Sequence, residues 1–576
     1  MQNVLMQSSA KHRKWIILLW IGAALANIKS IFADYDRDLS YALVTTIRHL
    51  NGDRLFQEMG EPHQTSAFLL DALAYLFRKV TSGRLDGIVI YLNICGVFLY
   101  LGICLYLVKV LKQHTDPVVA ELIGILFFAF RVRQIVMPEF TNMLVGFSTL
   151  LFAFLIRHLQ RKKDRLYLVL AALLLCLLIL SYPSGLLVYF AVAGILFFYG
   201  EDRKRDILLL TAICMAFGCI YVLYFSAQAG GVLVFLQNLQ QIVTGDASHG
   251  SGNAGGVLYY VKETLAAMVW IAASLIVSLL LNGAFGIIRK KRTPRWRFWL
   301  VTGICLIVTD QIFCTFLDDL IPTGSLRYVY GGIFVLLILL GAKGYKNCTS
   351  SEKQIWSISV ILSIAVLLAV SALTNQVLIT SLQYLVLAGS ISLIPGFRYL
   401  EAEQDSNPEC KAYPYAWIGV VALLIVLHRG IIMRDYGEAS STVWGIRNIV
   451  KSGPTMGVLS SYMSAYMTGC NQEDWTSYVP ENSRILVVGP ELYDPIVYLY
   501  QNTEICHYST IDTPTYDENL LAYWGKYPEK KPEIIAIECW YGELHVEEES
   551  WIMGWVREHC DLIGDGRYWR FCRVRE

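Results

Sequence analysis

Three aspartates, Asp34, Asp36 and Asp38, stand at alternate positions just after the first long apolar run. They open a polar stretch, 32–70, that also carries Arg48, His49, Asp53, Glu58, Glu61 and His63. In an extended backbone Asp34 and Asp36 share one face, and in a turn they converge on one point. Such a pair can take a proton from a hydroxyl, one carboxylate acting as base and the other orienting it. It can also hold a divalent cation, Mg2+ or Mn2+, whose remaining ligands come from a substrate phosphate. The plain alternative is a solvated helix end. Arg131, Arg133 and Arg327 each lie beside an apolar run. A guanidinium matches phosphate oxygens two at a time, and it equally well anchors a helix end at lipid headgroups. His63 follows Pro62 in a turn, and Tyr182-Pro183 separates two apolar runs; either could line a cavity or merely shape the chain.

Membrane helices must position these residues. The 576-residue chain is 55% hydrophobic and only 16% charged, with a mean hydropathy of +0.46, the composition of a polytopic α-helical membrane protein. A net charge of +1 argues against a polybasic, nucleic-acid-binding surface. The 14 cysteines are scattered with no zinc-ligand spacing. Spanning or nearly spanning segments fall at 15–33, 86–108, 117–131, 141–156, 166–181, 184–200, 207–226, 262–288, 298–316, 328–342, 354–373, 377–395 and 415–431, thirteen in all. Ala24-Leu25-Ala26 resembles a signal cleavage site, but the apolar run continues past it to spanning length.

Loop charge orients these spans. With the N-terminus in the cytoplasm, the cytoplasmic stretches hold 24 Lys and Arg and the outer ones 10, as the positive-inside rule requires. An odd number of spans puts the first loop, 34–85, and everything after 431 on the same outer side. Two units are expected: a membrane domain, 1–431, and an extracytoplasmic tail, 432–576.

Within the first loop, Leu39, Ala42, Leu43, Ile47 and Leu50 recur at helical spacing, predicting an amphipathic helix at the membrane interface. Asn51-Gly52-Asp53 breaks it, and 66–79 predicts a second interfacial helix. The Gly-rich stretch 227–256 reads as an external loop, and 317–330 as a short segment with Asp318, Asp319 and Arg327 near the surface. In the tail, 484–489 and 533–538 read as buried strands, 495–500 and 518–524 as short helices, and 561–563 with 567–574 as a hairpin. These alternating elements predict a small α/β unit. Cys560 and Cys572 could face each other across that hairpin, or remain unpaired. No GxGxxG follows the first strand, and Lys451-Ser-Gly-Pro-Thr-Met-Gly457 lacks the P-loop ending; it reads as a turn.

Asp34-Tyr35-Asp36, the Tyr41-containing helix, the Gly52-Asp53-Arg54-Leu55-Phe56 break and the Glu61-Pro62-His63-Gln64 turn resemble the first external loop of the membrane glycosyltransferases with the C fold. The kinship is to the protein O-mannosyltransferase and aminoarabinose transferase branch. The resemblance extends in layout to the thirteen spans and outer tail, but in motif only to this loop and, weakly, Arg327-Tyr328. It implies transfer of a sugar from a polyprenyl-phosphate carrier to a glycan, lipid or protein acceptor at the outer face of the cell membrane. Asp34 or Asp36 would then be the catalytic aspartate, acting as base or metal ligand, with Asp38, His63, Arg131, Arg133, Tyr182 and Arg327 as candidates around the substrate. An envelope polysaccharide polymerase or ligase would need large late outer loops, whereas here the late loops are short. A transporter or flippase would show an internal repeat and midspan charges; Asp310 is the one clear midspan acid.

Overall fold

The computed structural model describes all residues except 1, 34, 62, 161–164, 246–271, 285–294, 317–324, 373–380, 407–413, 435–439, 447, 490–493, 510–517 and 576. The chain is an α-helical integral membrane protein with a C-terminal sheet. Six described helices are long and apolar enough to cross a membrane: His12–Ala33, Ile88–Leu111, Phe140–Gln160, Arg203–Ala229, Ser350–Ser371 and Pro414–Ile431. Shorter apolar helices, among them Pro117–Ala129, Leu166–Ser181 and Pro183–Tyr199, occupy further expected positions. The segment expected at 377–395 is not one helix where it is described. It runs as Leu382–Leu385, Val386–Ile391 and the start of Leu393–Ser406.

Two helices of the first loop form where the spacing places them. Arg37–Asn51 begins at Asp36, whose extended backbone and side chain cap it by accepting from the Asp38 amide at 2.8 Å. It stops at Gly52, whose φ of +111° suits a residue without a Cβ. Ala67–Val80 follows. The first of these helices is not free at an interface, because its residues from Leu39 to Arg48 are all buried. The tail covers it, the short helix Pro495–Leu499 packing against it.

Part of the expected 227–256 loop is a helix, Val232–Gly245. Phe235 and Ile242, seven residues apart, pack with Leu55, Phe56, Met59 and Phe225 in a small apolar cluster, so a helical stripe preceded the glycines. The remainder, 246–256, lies outside the described residues, as does most of 317–330.

In the tail sheet the strand order is Glu504–Ile505, Arg484–Val488, Ile534–Trp540, Trp569–Val574, Cys560–Asp565. The first three are parallel and the last two add antiparallel. Alternation along the strands serves two faces. Ile485, Val487, Ile534 and Ala536 belong to a core continuous with the membrane helices. Leu486, Val488, Ile535 and Ile537 pack beneath Trp524 and Trp555. Of the two possibilities for Cys560 and Cys572, the register leaves them unaligned: Cys572 lies opposite Leu562 and Cys560 opposite Val574. Both cysteines are free and buried. The 451–457 turn caps a membrane helix, the carbonyls of Gly453 and Pro454 accepting from the amides of Gly87 and Val89.

Candidate active site

Asp36 stands where the first apolar helix gives way to the 37–51 helix, and its side chain is almost fully enclosed at 1% exposure. The residue that meets it comes from another loop. Arg133 lies between the Pro117–Ala129 and Phe140–Gln160 helices, its guanidinium ion-paired with Asp38 and 3.7 Å from Asp36 Oδ1. To reach there the chain adopts left-handed backbone at two successive non-glycine residues, Arg133 (φ +54°) and Gln134 (φ +62°). Such strain persists only where surrounding contacts hold it. Two of those contacts are long-range: Gln383 Oε1 accepts from the Arg133 amide at 2.9 Å, and Arg429 donates to the side chain and carbonyl of Gln134 at 2.9 Å each.

Glu139, one turn beyond, is a further buried acid. It caps the 140–160 helix, accepting from the amides of Thr141 and Asn142 at 2.7 and 2.8 Å and from the Thr141 hydroxyl. Burial pushes its carboxyl above the usual range, and these hydrogen bonds and the nearby charge of Arg133 offset that only in part.

His63 and Tyr182 come together. The imidazole stacks on Phe140 at 4.4 Å and meets the Tyr182 ring at 4.5 Å, while Tyr41 of the loop helix meets Phe140 edge-on at 6.1 Å. The aromatic wall therefore joins the first loop, the start of the 140–160 helix and the Tyr182-Pro183 turn.

Arg131 is placed differently from an exposed phosphate-facing cation. It is 1% exposed, its guanidinium lies 3.6 Å from the Tyr100 ring centroid, and it donates to the carbonyls of Phe128 and Phe130 at 2.9 Å. Arg327 lies in the first turn of the Ser325–Gly344 helix, its side chain outside the described residues. Asp34 is outside them as well.

Asp36 is engaged by the Asp38 amide and approached by Arg133, Asp38 is paired with Arg133, and no group of three or more His, Cys, Asp or Glu among the described residues could hold a metal ion. Asp34, the other carboxylate expected at a Mg2+ or Mn2+ site, lies outside the described residues, so they do not make up the whole expected donor set. What the arrangement offers is carboxylates and one guanidinium at a membrane-helix mouth, flanked by aromatic faces.

The tail closes over this loop. Arg48 donates to the His507 carbonyl at 3.1 Å, Tyr523 to the Glu58 carbonyl at 2.8 Å, Gly60 to the Tyr508 carbonyl at 2.9 Å, and Ser509 to Glu61 at 3.3 Å. Lys530 pairs with Asp53 at 2.5 Å.

Spacing alone gave no sign of Gln383, Glu139, Phe140 or Arg429. Glu139 carried a signal of the kind that marked the aspartates, an acid immediately before an apolar run; Gln383 and Arg429 join the site through pairings 250 and 295 residues apart, and Phe140 through ring contacts with Tyr41, His63 and Tyr182.

No protein-family model matches the chain, and comparison with curated proteins finds no match. Among solved structures, the chain is similar to ArnT from Cupriavidus metallidurans bound to undecaprenyl phosphate. The TM-score is 0.45 with 10% identity, over 97% of this chain and 98% of that one. It is also similar to the Archaeoglobus fulgidus oligosaccharyltransferase tethered with an acceptor peptide, at TM-score 0.45 and 11% identity over 91% and 69% of the two chains. For the same archaeal protein, AglB, with an inhibitory peptide and a dolichol-phosphate, the values are 0.44 and 12%, over 92% and 70%.

Proposed function

We propose that the chain is a membrane glycosyltransferase that moves a sugar from a polyprenyl-phosphate carrier to an acceptor hydroxyl on the outer face of the membrane. The observation that carries this reading is the meeting of Asp36 and Asp38 with Arg133 at the mouth of an apolar helix, where a lipid phosphate and a polar acceptor can both arrive. A first-loop aspartate, Asp34 or Asp36, takes the proton from the acceptor hydroxyl. The hydroxyl oxygen attacks the anomeric carbon as the bond from that carbon to the phosphate oxygen breaks, and the polyprenyl phosphate leaves with the bonding electrons. The sugar is transferred with inversion.

Arg133 is the cation for that departing phosphate. Asp38, more exposed than Asp36, is the partner a phosphate can displace, because a guanidinium accepts either anion in the same planar fork. Preorganised positive charge of this kind is worth most where water is excluded. In this reading His63 and Tyr182 border the substrate as part of the aromatic wall they form with Phe140. Arg131 contributes positive charge from its enclosed place over Tyr100, and Arg327 stands at the start of the 325–344 helix. In this reading all thirteen apolar segments span, the N-terminus is cytoplasmic, and the first loop and the 432–576 domain lie outside, as the 24 to 10 division of loop cations supports.

The test uses full-length protein in lipid nanodiscs supplied with tritiated undecaprenyl-phosphate mannose, glucose, galactose or arabinose and an envelope extract as acceptor. Label is expected to leave the organic phase for at least one donor. If every donor stays intact while the protein remains folded, the reading is wrong.

A further inference from the structure

Resting on that reading, we propose that Asp494, a residue of the tail, is a positioning residue for the first-loop acids, acting through Tyr35. Tyr35 stands between Asp34 and Asp36 in the chain, and its ring is 1% exposed. Its hydroxyl donates to Asp494 Oδ2 at 2.9 Å and shares a 2.8 Å hydrogen bond with Ser40 Oγ. Asp494 Oδ1 accepts from the Ile496 amide at 3.0 Å, capping the 495–499 helix. One carboxylate thus ties together the segment that carries the acids, the first turn of the helix that Asp36 caps, and an element of the tail that packs on that helix.

The mechanical consequence follows from where Tyr35 sits. Tyr35 directly precedes Asp36, so anchoring the phenol at its far end restrains the backbone from which the Asp36 carboxylate projects. A base held by its neighbours is effective in proportion to how narrowly it is held, and freeing it by about 1 Å costs about 10²-fold in rate. The bond is not what docks the tail, since Arg48, Asp53, Glu58, Gly60 and Glu61 hold it elsewhere. Loss of the anchor therefore loosens the acids and leaves the domain in place.

The experiment compares Tyr35→Phe, Asp494→Ala, Asp494→Asn and the double variant Tyr35→Phe/Asp494→Ala, all full-length in nanodiscs. Kinetics are measured on whichever tritiated undecaprenyl-phosphate sugar the parent protein consumes, with amide exchange followed over 33–40 and over the tail. Tyr35→Phe and Asp494→Ala are each expected to lower kcat about 10- to 100-fold with KM for the lipid donor within about twofold, and the double variant to be no worse than either single. Asp494→Asn, whose amide can still bond the phenol, is expected to keep activity within about threefold. Amides of 33–40 are expected to exchange faster in the impaired variants, with tail amides unchanged.

Unchanged kcat in Tyr35→Phe and Asp494→Ala, losses that multiply, or a change confined to KM would overturn the proposal. Should Asp494→Ala fail to fold, Tyr35→Phe alone decides. Should the parent protein transfer no label, the glycosyltransferase reading fails. Amide exchange then still decides whether Asp494 orders the acid-bearing segment: no change in either single variant refutes it.

Discussion

Replacing Asp53 by Asn should partly release the tail from the first loop. Asp53 receives Arg48 Nε on one oxygen at 2.8 Å and Lys530 Nζ on the other at 2.5 Å, with all three side chains under a tenth exposed. Asn keeps the shape and removes the charge, leaving two buried cations short of an anion. Breaking a buried pair costs about 3–5 kcal/mol. Two features place this one at the low end. Arg48 retains Glu61 at 3.7 Å and the carbonyls of Glu58 and His507 at 3.0 and 3.1 Å. Lys530 also borders a cleft of about 170 Å3, lined in addition by Asn51, Glu504 and Glu529, through which water can reach it.

The expected cost is therefore about 3 kcal/mol, roughly a 10²-fold rise in the undocked fraction at 1.4 kcal/mol per tenfold. Native-state proteolysis of the tail reads that fraction directly when reclosing outpaces cleavage. Lys530→Met, which leaves Asp53 its arginine, should raise cleavage less. The double variant should fall short of the sum of the singles by about 1.5 kcal/mol or more. A rise of less than threefold in Asp53→Asn, or additive singles, would refute the assignment of this triad as the clasp.

Three further outcomes are expected. Burial pushes the Asp53 carboxyl up, but Arg48 and then Lys530 outweigh it and hold the group below its ordinary value. Its contribution to docking is thus full above about pH 5 and is lost as pH falls through the folded value, below about 3.9. Tail cleavage attributable to Asp53, the difference between parent and Asp53→Asn, should be constant from pH 5 to 7 and collapse below pH 4. A methyl group added at Gly60 would overlap the Tyr508 ring, so Gly60→Ala should weaken docking by about 1–3 kcal/mol, with Tyr508→Ala restoring part of it in the same proteolysis assay. Arg133→Lys keeps a charge but not the planar fork that reaches both Asp36 and Asp38. Transfer should fall at least about tenfold while thermal stability changes little, and equal loss of both would assign Arg133 to structure alone.

What the sequence made legible was local. The helix at 37–51 and its stop at Gly52 follow from residue spacing. The tail strands and hairpin follow from alternation. The helix at 232–245 was equally local and went unread because the glycines after it dominated the stretch. Other features were beyond local reasoning. That Arg133 meets Asp38 depends on a left-handed turn at a residue with no special tolerance for it, stabilised by Gln383 from 250 positions away. That the first-loop helix is covered rather than exposed depends on the tail folding back, since amphipathic spacing marks an apolar face without naming what covers it. That Cys560 and Cys572 miss each other depends on the register of the hairpin, which sets Cys572 opposite Leu562, and strand spacing alone does not fix that register. Aspartates at a helix mouth were visible from composition; their counter-ion was not.

The account turns most directly on donor cleavage by Asp34→Asn and Asp36→Asn, each in full-length, folded protein with a tritiated undecaprenyl-phosphate sugar that the parent consumes. The account predicts that at least one variant loses about 10²- to 10⁴-fold in transfer rate, the contribution of a positioned base, while still retaining the docked tail. Full transfer by both variants would contradict it.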